Sequence, residues 1–412
     1  MFLKNNKLYY QWRSLEWISM LGDSFYYIAL LSYASNLSNP KIAIMIISIS
    51  EIFPRVFEVF LGVLADSTRQ RTKRFFQSGI FRGFCYLLIG IIMLKSNSII
   101  GILIIGILNA LSDLFGSYVE LCISPFIKLI VDEDDLEESL AINSFFHNFI
   151  YMFANLIGAA LLGVLGIQLL AFFNALTFFF VAFGVKAISS QLIELEKKIE
   201  VKNFTHFKDV VKHIVYSLKD LISEKSIRNF FLFAACLNSF SQTTIPVLSI
   251  YLSQNKGFQI INLAYSVAIT QGLIVISGLL GNFLGPKYFT RLSTNNILAI
   301  SYVGNMLFSL FIFKNLPMLA VLSLLIGTFT IGIFNIRFSV IILKNTPLEK
   351  MGIINSCMNT FFTVIPALIS TVLISLATNS IFIYALFVGV ISITALLILF
   401  LTRNTKLDIG KI

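Results

Sequence analysis

Residues 62–74 read Gly62-Val-Leu64-Ala-Asp66-Ser-Thr-Arg69-Gln-Arg71-Thr-Lys73-Arg74. This stretch decides the fold. A mostly apolar run, 42–65, stops there on an aspartate, four cations follow, and a second apolar run, 75–95, begins at once. An apolar segment of about 20 residues is what a bilayer-spanning helix needs. Two spans joined by a short basic turn are therefore expected here. Reading outward in both directions gives twelve such stretches: 14–36, 42–65, 75–95, 98–128, 139–165, 167–187, 229–253, 261–285, 294–314, 317–343, 351–376 and 378–402. The composition agrees: 57% hydrophobic, 13% charged, mean hydropathy +0.85 over 412 residues. A soluble domain carries about 25% charged residues. The expected fold class is an all-α membrane protein of twelve transmembrane helices.

The net charge of +10 suggests nucleic acid only if its placement is ignored. With the N-terminus inside, 24 of the 31 Lys and Arg fall in cytoplasmic segments and four (Lys41, Lys95, Lys256, Lys314) in outer loops. That bias sets both termini in the cytoplasm, with the chain multi-pass in a cell membrane. Nucleic acid is not an expected partner; membrane lipid and a small-molecule substrate are, for a chain acting as a monomer. The first span is too long, too aromatic and too polar for a signal peptide. Trp12 and Trp17 flank its start, where interfacial anchors belong. Cys85, Cys122, Cys236 and Cys357 lie in spans without a paired motif, which indicates packing rather than a disulfide framework or metal site.

The longest polar stretch, 188–228, divides the chain into an N-terminal six-helix half, 1–187, and a C-terminal six-helix half, 229–412. Within it Phe207, Val210, Val211, Ile214, Leu218, Leu221 and Ile222 recur at helical spacing between Lys208, Asp209, Lys212 and Lys219. That is an amphipathic helix with a basic face, suited to the inner membrane surface. It serves as a tether between halves or as a regulatory segment. The halves repeat: residues 142–149 read Ile-Asn-Ser-Phe-Phe-His-Asn-Phe and residues 354–361 read Ile-Asn-Ser-Cys-Met-Asn-Thr-Phe. Gly62-x-Leu64-x-Asp66 at the end of span 2 is echoed by Gly281-x-x-x-Gly285 at the end of span 8. Duplicated helical units of this kind are transporter architecture.

Residues 62–74 resemble the loop 2–3 signature of the major facilitator superfamily: a glycine, a leucine and an aspartate, then a basic run. Leu21-Gly22-Asp23, Leu136 through Asn143-Ser144, and Pro347-Leu348-Glu349 resemble the macrolide-efflux type of drug exporter within it. Ser67, Arg69 and Gln70 depart from the signature's usual Arg and Gly-Arg positions. Asn155 to Gly163 has the glycines of the span 5 antiporter motif and lacks its proline. The resemblance implies the major facilitator fold, alternating access, and an inner gate formed by Gly62, Leu64, Asp66, Arg69, Arg71 and Arg74. It also implies that spans 1, 4, 7 and 10 line a central cavity. Asp66 can accept from guanidinium groups or from helix N-termini. The plainer alternative is a basic run that serves only as a positive-inside anchor.

Charges at bilayer depth are costly and are paired or functional. Those in the spans are Glu16, Asp23, Glu51, Glu58, Asp113 and Glu120, with Arg55, Arg82 and Arg337. No Asp or Glu occurs between Glu224 and Glu349, so a proton-carrying carboxylate belongs to the N-terminal half. Asp113, Glu120, Asp23, Glu51 and Glu58 are the proton-coupling candidates; Arg55, Arg82 and Arg337 are their candidate charge partners. Glu51, Arg55 and Glu58 share one face, so pairing inside that ladder competes with a coupling role. Asp23 reads equally as a structural partner of Arg82 or of a helix end. Arg337 pairs across the cavity with Asp113 or Glu120, binds an anionic substrate, or caps backbone carbonyls.

Span 7 carries Asn238-Ser-Phe-Ser-Gln242-Thr-Thr-Ile-Pro246, which suggests a bend with unsatisfied hydroxyls lining a cavity. Asn148, Tyr151 and Asn155 in span 5 match Asn355, Asn359 and Thr363 in span 11 as helical stripes; interhelical hydrogen bonding is the alternative. With Asn335 and the aromatic residues they would line a wide, weakly polar pocket suited to amphipathic molecules. No nucleotide-binding or hydrolytic motif occurs, so neither an enzyme nor an ATP-driven pump is expected, and no cofactor beyond a proton gradient. The function expected is proton-coupled efflux of amphipathic drug-like compounds of the macrolide type. Export or flipping of lipid-like or peptide metabolites is the first alternative. A non-transporting receptor or partner subunit is the second. The abundance of Ile, Asn, Lys and Phe fits an AT-rich bacterial source.

Overall fold

The computed structural model describes residues 6–401 apart from 36, 97, 202–215, 217, 218, 220–224 and 260–262. The linker helix expected over 207–222 falls almost wholly outside the described residues.

The apolar stretches coincide with helices. They are α1 (Lys7–Ser35), α2 (Pro40–Asp66), α3 (Arg71–Lys95), α4 (Ile99–Ile123), α5 (Leu136–Leu165), α6 (Ile167–Glu196), α7 (Lys225–Gln254), α8 (Leu263–Tyr288), α9 (Thr294–Phe313), α10 (Pro317–Asn345), α11 (Met351–Asn379) and α12 (Ile381–Leu401). Backbone groups in lipid have no water to bond, which makes helices the fitting solution. Among the described residues nine of these helices are long and apolar enough to cross a membrane. The charges Glu51, Arg55 and Glu58 lower the apolarity of α2, and Asp23, the serines and the tyrosines lower that of α1.

Local signals set the boundaries. Pro40 and Pro317 open α2 and α10 at positions where a missing N–H costs nothing. Ser98 and Ser293 cap α4 and α9 by accepting from Gly101 N at 3.1 Å and Asn296 N at 3.2 Å. Pro125 stops α4 earlier than the apolar run 98–128 predicts, and a short helix, Phe126–Ile130, follows. Gly166 turns α5 into α6 at φ 82°, a conformation that suits glycine.

Contacts divide the chain into two compact units. Unit 1 comprises Met1–Leu136, Phe146–Lys219 and Thr346–Thr360; unit 2 comprises Glu137–Phe145, Asp220–Asn345 and Phe361–Ile412. Thus α5 and α11 each contribute to both. In unit 1, α3 packs on α6, α2 on α4, α1 on α6 and α3 on α4. Unit 2 repeats the scheme: α9 on α12, α8 on α10 and α9 on α10.

Lipid offers no hydrophobic drive for helix association, so close packing and interhelical bonds carry it. In unit 1 Tyr26, Tyr86 and Phe178 form a buried aromatic stack, Tyr86 lying parallel to Phe178 at 5.3 Å and Tyr26 edge-on to Tyr86 at 4.6 Å. In unit 2 Gly304 allows α9 to meet α10: a Cβ there would lie 2.8 Å from the Gly327 Cα. Beside it Ser301 and Thr330 hydroxyls bond at 2.7 Å, and the Tyr302 hydroxyl donates to the Phe233 carbonyl at 3.0 Å.

The two tryptophans at the start of α1 both meet aromatic partners. Trp12 is 1% exposed, packed edge-on against Phe126 with the Arg13 guanidinium over its ring at 4.1 Å, and Trp17 stacks on Phe146. Both make ring contacts with neighbouring phenylalanines, Trp12 buried and Trp17 half-buried.

Candidate coupling site and helix-end clamps

Unit 1 holds a charged cluster built on Arg82 of α3. Its Nη2 donates to Asp23 Oδ2 at 3.1 Å and lies 3.6 Å from Asp113 Oδ1. Its Nε donates to Ser112 Oγ at 3.1 Å, and the guanidinium lies over the Phe178 ring at 4.0 Å. Gly116 leaves room for it: a Cβ there would press on the guanidinium carbon at 3.0 Å. Asp23 also accepts from Asn174 Nδ2 at 3.0 Å. Gly22 is what brings α1 close enough, since a Cβ there would lie 2.4 Å from Thr177 Oγ1 and 2.5 Å from Asn174 Oδ1. The pair Gly22-Asp23 thus has one residue for approach and one for bonding.

Asn109 of α4 continues the cluster. Its Nδ2 donates to Glu51 Oε1 at 2.9 Å and to Asp113 Oδ2 at 3.3 Å, while its Oδ1 accepts from the Tyr86 hydroxyl at 3.3 Å. Asn109 is 1% exposed and Asn174 fully buried. Asp23, Glu51, Asp113 and Arg82 are therefore brought together. The ladder of α2 divides instead: Glu51 faces Asn109, Glu58 accepts from Asn359 Nδ2 at 2.7 Å, and Arg55 is exposed. Among the described residues no salt bridge joins Arg55 to Glu51 or Glu58. Glu120 stands apart, exposed, with Arg13, Glu16, Glu58 and Arg82 as its charged surroundings. Glu16 pairs with Arg13 at 2.5 Å.

The expected gate loop forms a clamp on α11, also within unit 1. Asp66 is fully buried and its two carboxylate oxygens accept from Gly352 N at 2.7 Å and Ile353 N at 3.0 Å. These are free amides of a helix N-terminus, where a carboxylate is favoured. Of the two partner types expected, the helix end is present. Gly62 lies flat against α11: a Cβ there would sit 2.2 Å from Ser356 Oγ and 2.7 Å from the Gly352 carbonyl. Arg71 is fully buried and donates to the carbonyls of Cys122 at 2.8 Å and Asp66 at 3.4 Å. Glu196 caps α3, accepting from Arg71 N and Thr72 N, each at 3.0 Å. Leu64, Arg69 and Arg74 are exposed, and Arg74 donates to Gln77 at 3.0 Å.

Unit 2 has a related arrangement with different chemistry. Ser144 accepts from Asn282 Nδ2 at 2.7 Å, one residue past Gly281, just as Ser356 meets Gly62. The two Ile-Asn-Ser copies thus place their serines at corresponding helix crossings. Gly285 stands where Asp66 stands in the first copy, and Arg337 supplies the charge instead. Arg337 donates to the Leu292 carbonyl at 2.5 Å and the Phe289 carbonyl at 2.6 Å, and lies 3.6 Å from Glu137. Its carbonyl-capping role is the one seen, on the turn after α8, with Glu137 as its acid.

The cavity candidates divide. Asn148, Asn238 and Asn355 are half-buried; Tyr151, Gln242, Asn335 and Asn359 are exposed; the Asn155 side chain lies outside the described residues. Gln242 Oε1 accepts from Ser370 Oγ at 3.2 Å. The unsatisfied hydroxyls expected in span 7 are corrected. Ser239, Ser241, Thr243 and Thr244 donate to carbonyls of their own helix at 2.7, 3.1, 2.8 and 3.0 Å, and α7 continues through Pro246. Serine and threonine satisfy themselves in this way inside a helix.

The reading by charge missed the neutral partners Asn109, Asn174, Tyr86 and Tyr26, and the acid Glu137. Asn109 had a signal: it precedes Asp113 by four residues, on the same helix face. Asn174, a lone amide in Phe-Phe-Asn-Ala-Leu-Thr, had a weaker one. Among the described residues no group of three His, Cys, Asp or Glu is placed to hold a metal ion.

The sequence profile described as Major Facilitator Superfamily matches residues 14–371. No curated protein matches the chain by sequence. Among solved structures, the chain is similar to a bacterial homologue of the iron transporter ferroportin in its outward-facing state, at 13% identity and a TM-score of 0.71, covering 97% of this chain and 100% of that one. It is similar to the fucose:proton symporter of E. coli at 14% identity and 0.64, covering 96% and 98%. It is similar to a human organic anion transporter at 10% identity and 0.61, covering 95% and 99%. At these identities the likeness speaks for the fold alone.

Proposed function

The chain belongs to the major facilitator superfamily, and from that premise we propose that it is a secondary exporter. In this reading it expels amphipathic, drug-like compounds of the macrolide type in exchange for protons by alternating access. The observation that carries the reading is the unit 1 cluster. Asp23 and Asp113 share the guanidinium of Arg82, and Glu51 is tied to Asp113 through Asn109, so three carboxylates gather inside a helical bundle. A packing role alone gives no reason to keep an excess of acid there, because each ion costs about 2.5–3.5 kcal/mol at bilayer depth. Reversible protonation gives one.

The clamps fit the same cycle. Asp66 on α11 and Arg337 with Glu137 lie beside basic loops, which the positive-inside rule places in the cytoplasm. Both use bonds to helix ends, which can break and re-form as the inner gate opens. Substrate class rests on the exposed or half-buried amides and aromatics Asn148, Tyr151, Asn238, Gln242, Asn335, Asn355 and Asn359, and on the resemblance of Leu21-Gly22-Asp23 to macrolide exporters. The metal and sugar cargoes of the structurally similar proteins are not carried over.

Drug accumulation in cells expressing the chain, with and without a protonophore, tests the reading. Accumulation should be low with the gradient and rise when it is collapsed. A panel spanning macrolides, lipid-like compounds and peptides separates the substrate alternatives. Export unaffected by the protonophore overturns proton coupling.

A further inference from the structure

We propose that Asn109 joins Glu51 and Asp113 into one proton-binding pair, with Arg82 as a counter-ion that passes to Asp23 when the pair takes up its proton. This deepens the proton-coupling reading and rests on it.

Bond lengths point to the pair. Asp23 is well served, at 3.1 Å from Arg82 and 3.0 Å from Asn174. Asp113 is poorly served, at 3.6 Å from Arg82 and 3.3 Å from Asn109. The same Asn109 nitrogen also donates to Glu51 at 2.9 Å. One neutral amide thus stands between two carboxylates, and their repulsion is relieved when one binds a proton.

A second observation is a buried hydroxyl close to the pair. Among the described residues the Tyr26 hydroxyl has no hydrogen-bond partner, on a residue 2% exposed. It lies within electrostatic reach of Asp113, Glu51 and Asp23. A buried hydroxyl left unbonded costs about 1–3 kcal/mol.

The surrounding groups are accounted for helix by helix. α1 brings Asp23 and Tyr26, α2 brings Glu51 and the more distant Arg55, α3 brings Arg82 and Tyr86, α4 brings Asp113, and α6 brings only the neutral Asn174. In the step itself hydronium gives its proton to one carboxylate of the pair and leaves as water. The pair loses one negative charge, its hold on Arg82 weakens, and the guanidinium closes on Asp23.

Infrared titration of the full-length protein in lipid nanodiscs tests this without any substrate. The protonated-carboxyl band should titrate in wild type. Glu51→Gln and Asp113→Asn should each shift the midpoint of the carboxyl that remains by about one pH unit or more, the mark of coupled sites. Tyr26→Phe should shift it as well, and Glu133→Gln, an exposed acid outside the cluster, should leave it in place. A remaining midpoint unmoved by either neutralisation overturns the pair. A titration that depends on sodium against potassium at fixed ionic strength overturns it too. Protonophore-insensitive export with an intact paired titration would instead sink the transport reading and leave the pair standing.

Discussion

Asp66→Asn keeps the side chain's size and removes its charge. In the native clamp both oxygens accept from the first amides of α11, at 2.7 and 3.0 Å, fully out of solvent. Hydrogen bonds to a charged group contribute about 1.5–3 kcal/mol each. Asparagine keeps one acceptor and turns an NH2 group toward the other amide. The loss is then about 3 kcal/mol, roughly a hundredfold in the closed-to-open ratio of the clamp. A native reporter lies close by. Cys357, one residue beyond the Ser356 that meets Gly62, is a free cysteine only 7% exposed. Its alkylation by N-ethylmaleimide in membranes, read site by site by mass spectrometry, should accelerate roughly a hundredfold in Asp66→Asn. Cys236 in α7 serves as the internal standard and should label at its wild-type rate. A Cys357 rate unchanged while Cys236 also holds would refute the idea that these two bonds keep the clamp closed.

Three further outcomes are expected. Gly62→Leu forces a side chain into the α2–α11 contact, where even a Cβ lies 2.2 Å from Ser356 Oγ; overpacking of this kind costs about 1–3 kcal/mol, seen as a lower melting temperature and lost export. Arg82→Met strands Asp23 and Asp113 without their cation and should cost about 3–5 kcal/mol in detergent-based unfolding; stability equal to wild type would show that the cluster is already neutral. Burial holds the Glu137 carboxyl above the ordinary carboxylate range, with Arg337 opposing. The folded state therefore binds that proton more tightly than the unfolded chain. Its contribution is full below the ordinary carboxylate value and fades as pH rises through the raised one. Glu137→Gln should flatten that part of the stability profile, measured by melts across the acidic range.

The helices were legible because lipid makes apolar length and backbone satisfaction nearly sufficient to define them. Boundaries slipped where local chemistry intervened: Pro125 ended α4 early, and α6 ran on through Glu194 and Glu196 after its apolar stretch ceased. The charged members of the site were legible for the same physical reason, since Asp23, Arg82 and Asp113 stand out against apolar neighbours. Their partners were less so. Asn109 and Asn174 are neutral amides whose importance comes from packing between helices, which no linear pattern reports. Arg337 was visible, but Glu137 belongs to an acidic loop with five other acids, 132–138, and only the tertiary structure picks it out. In span 7 polarity pointed to a cavity, whereas the hydroxyls close on their own backbone.

The most direct measurement is macrolide accumulation in energised cells, comparing wild type with Asp113→Asn before and after a protonophore. Proton-coupled export predicts low accumulation in wild type, a rise to the level of vector-only cells when the gradient collapses, and high accumulation in Asp113→Asn throughout. Wild-type export that persists without the gradient, or an Asp113→Asn protein that exports as well as wild type and stays protonophore-sensitive, would contradict the role given to the Arg82 cluster.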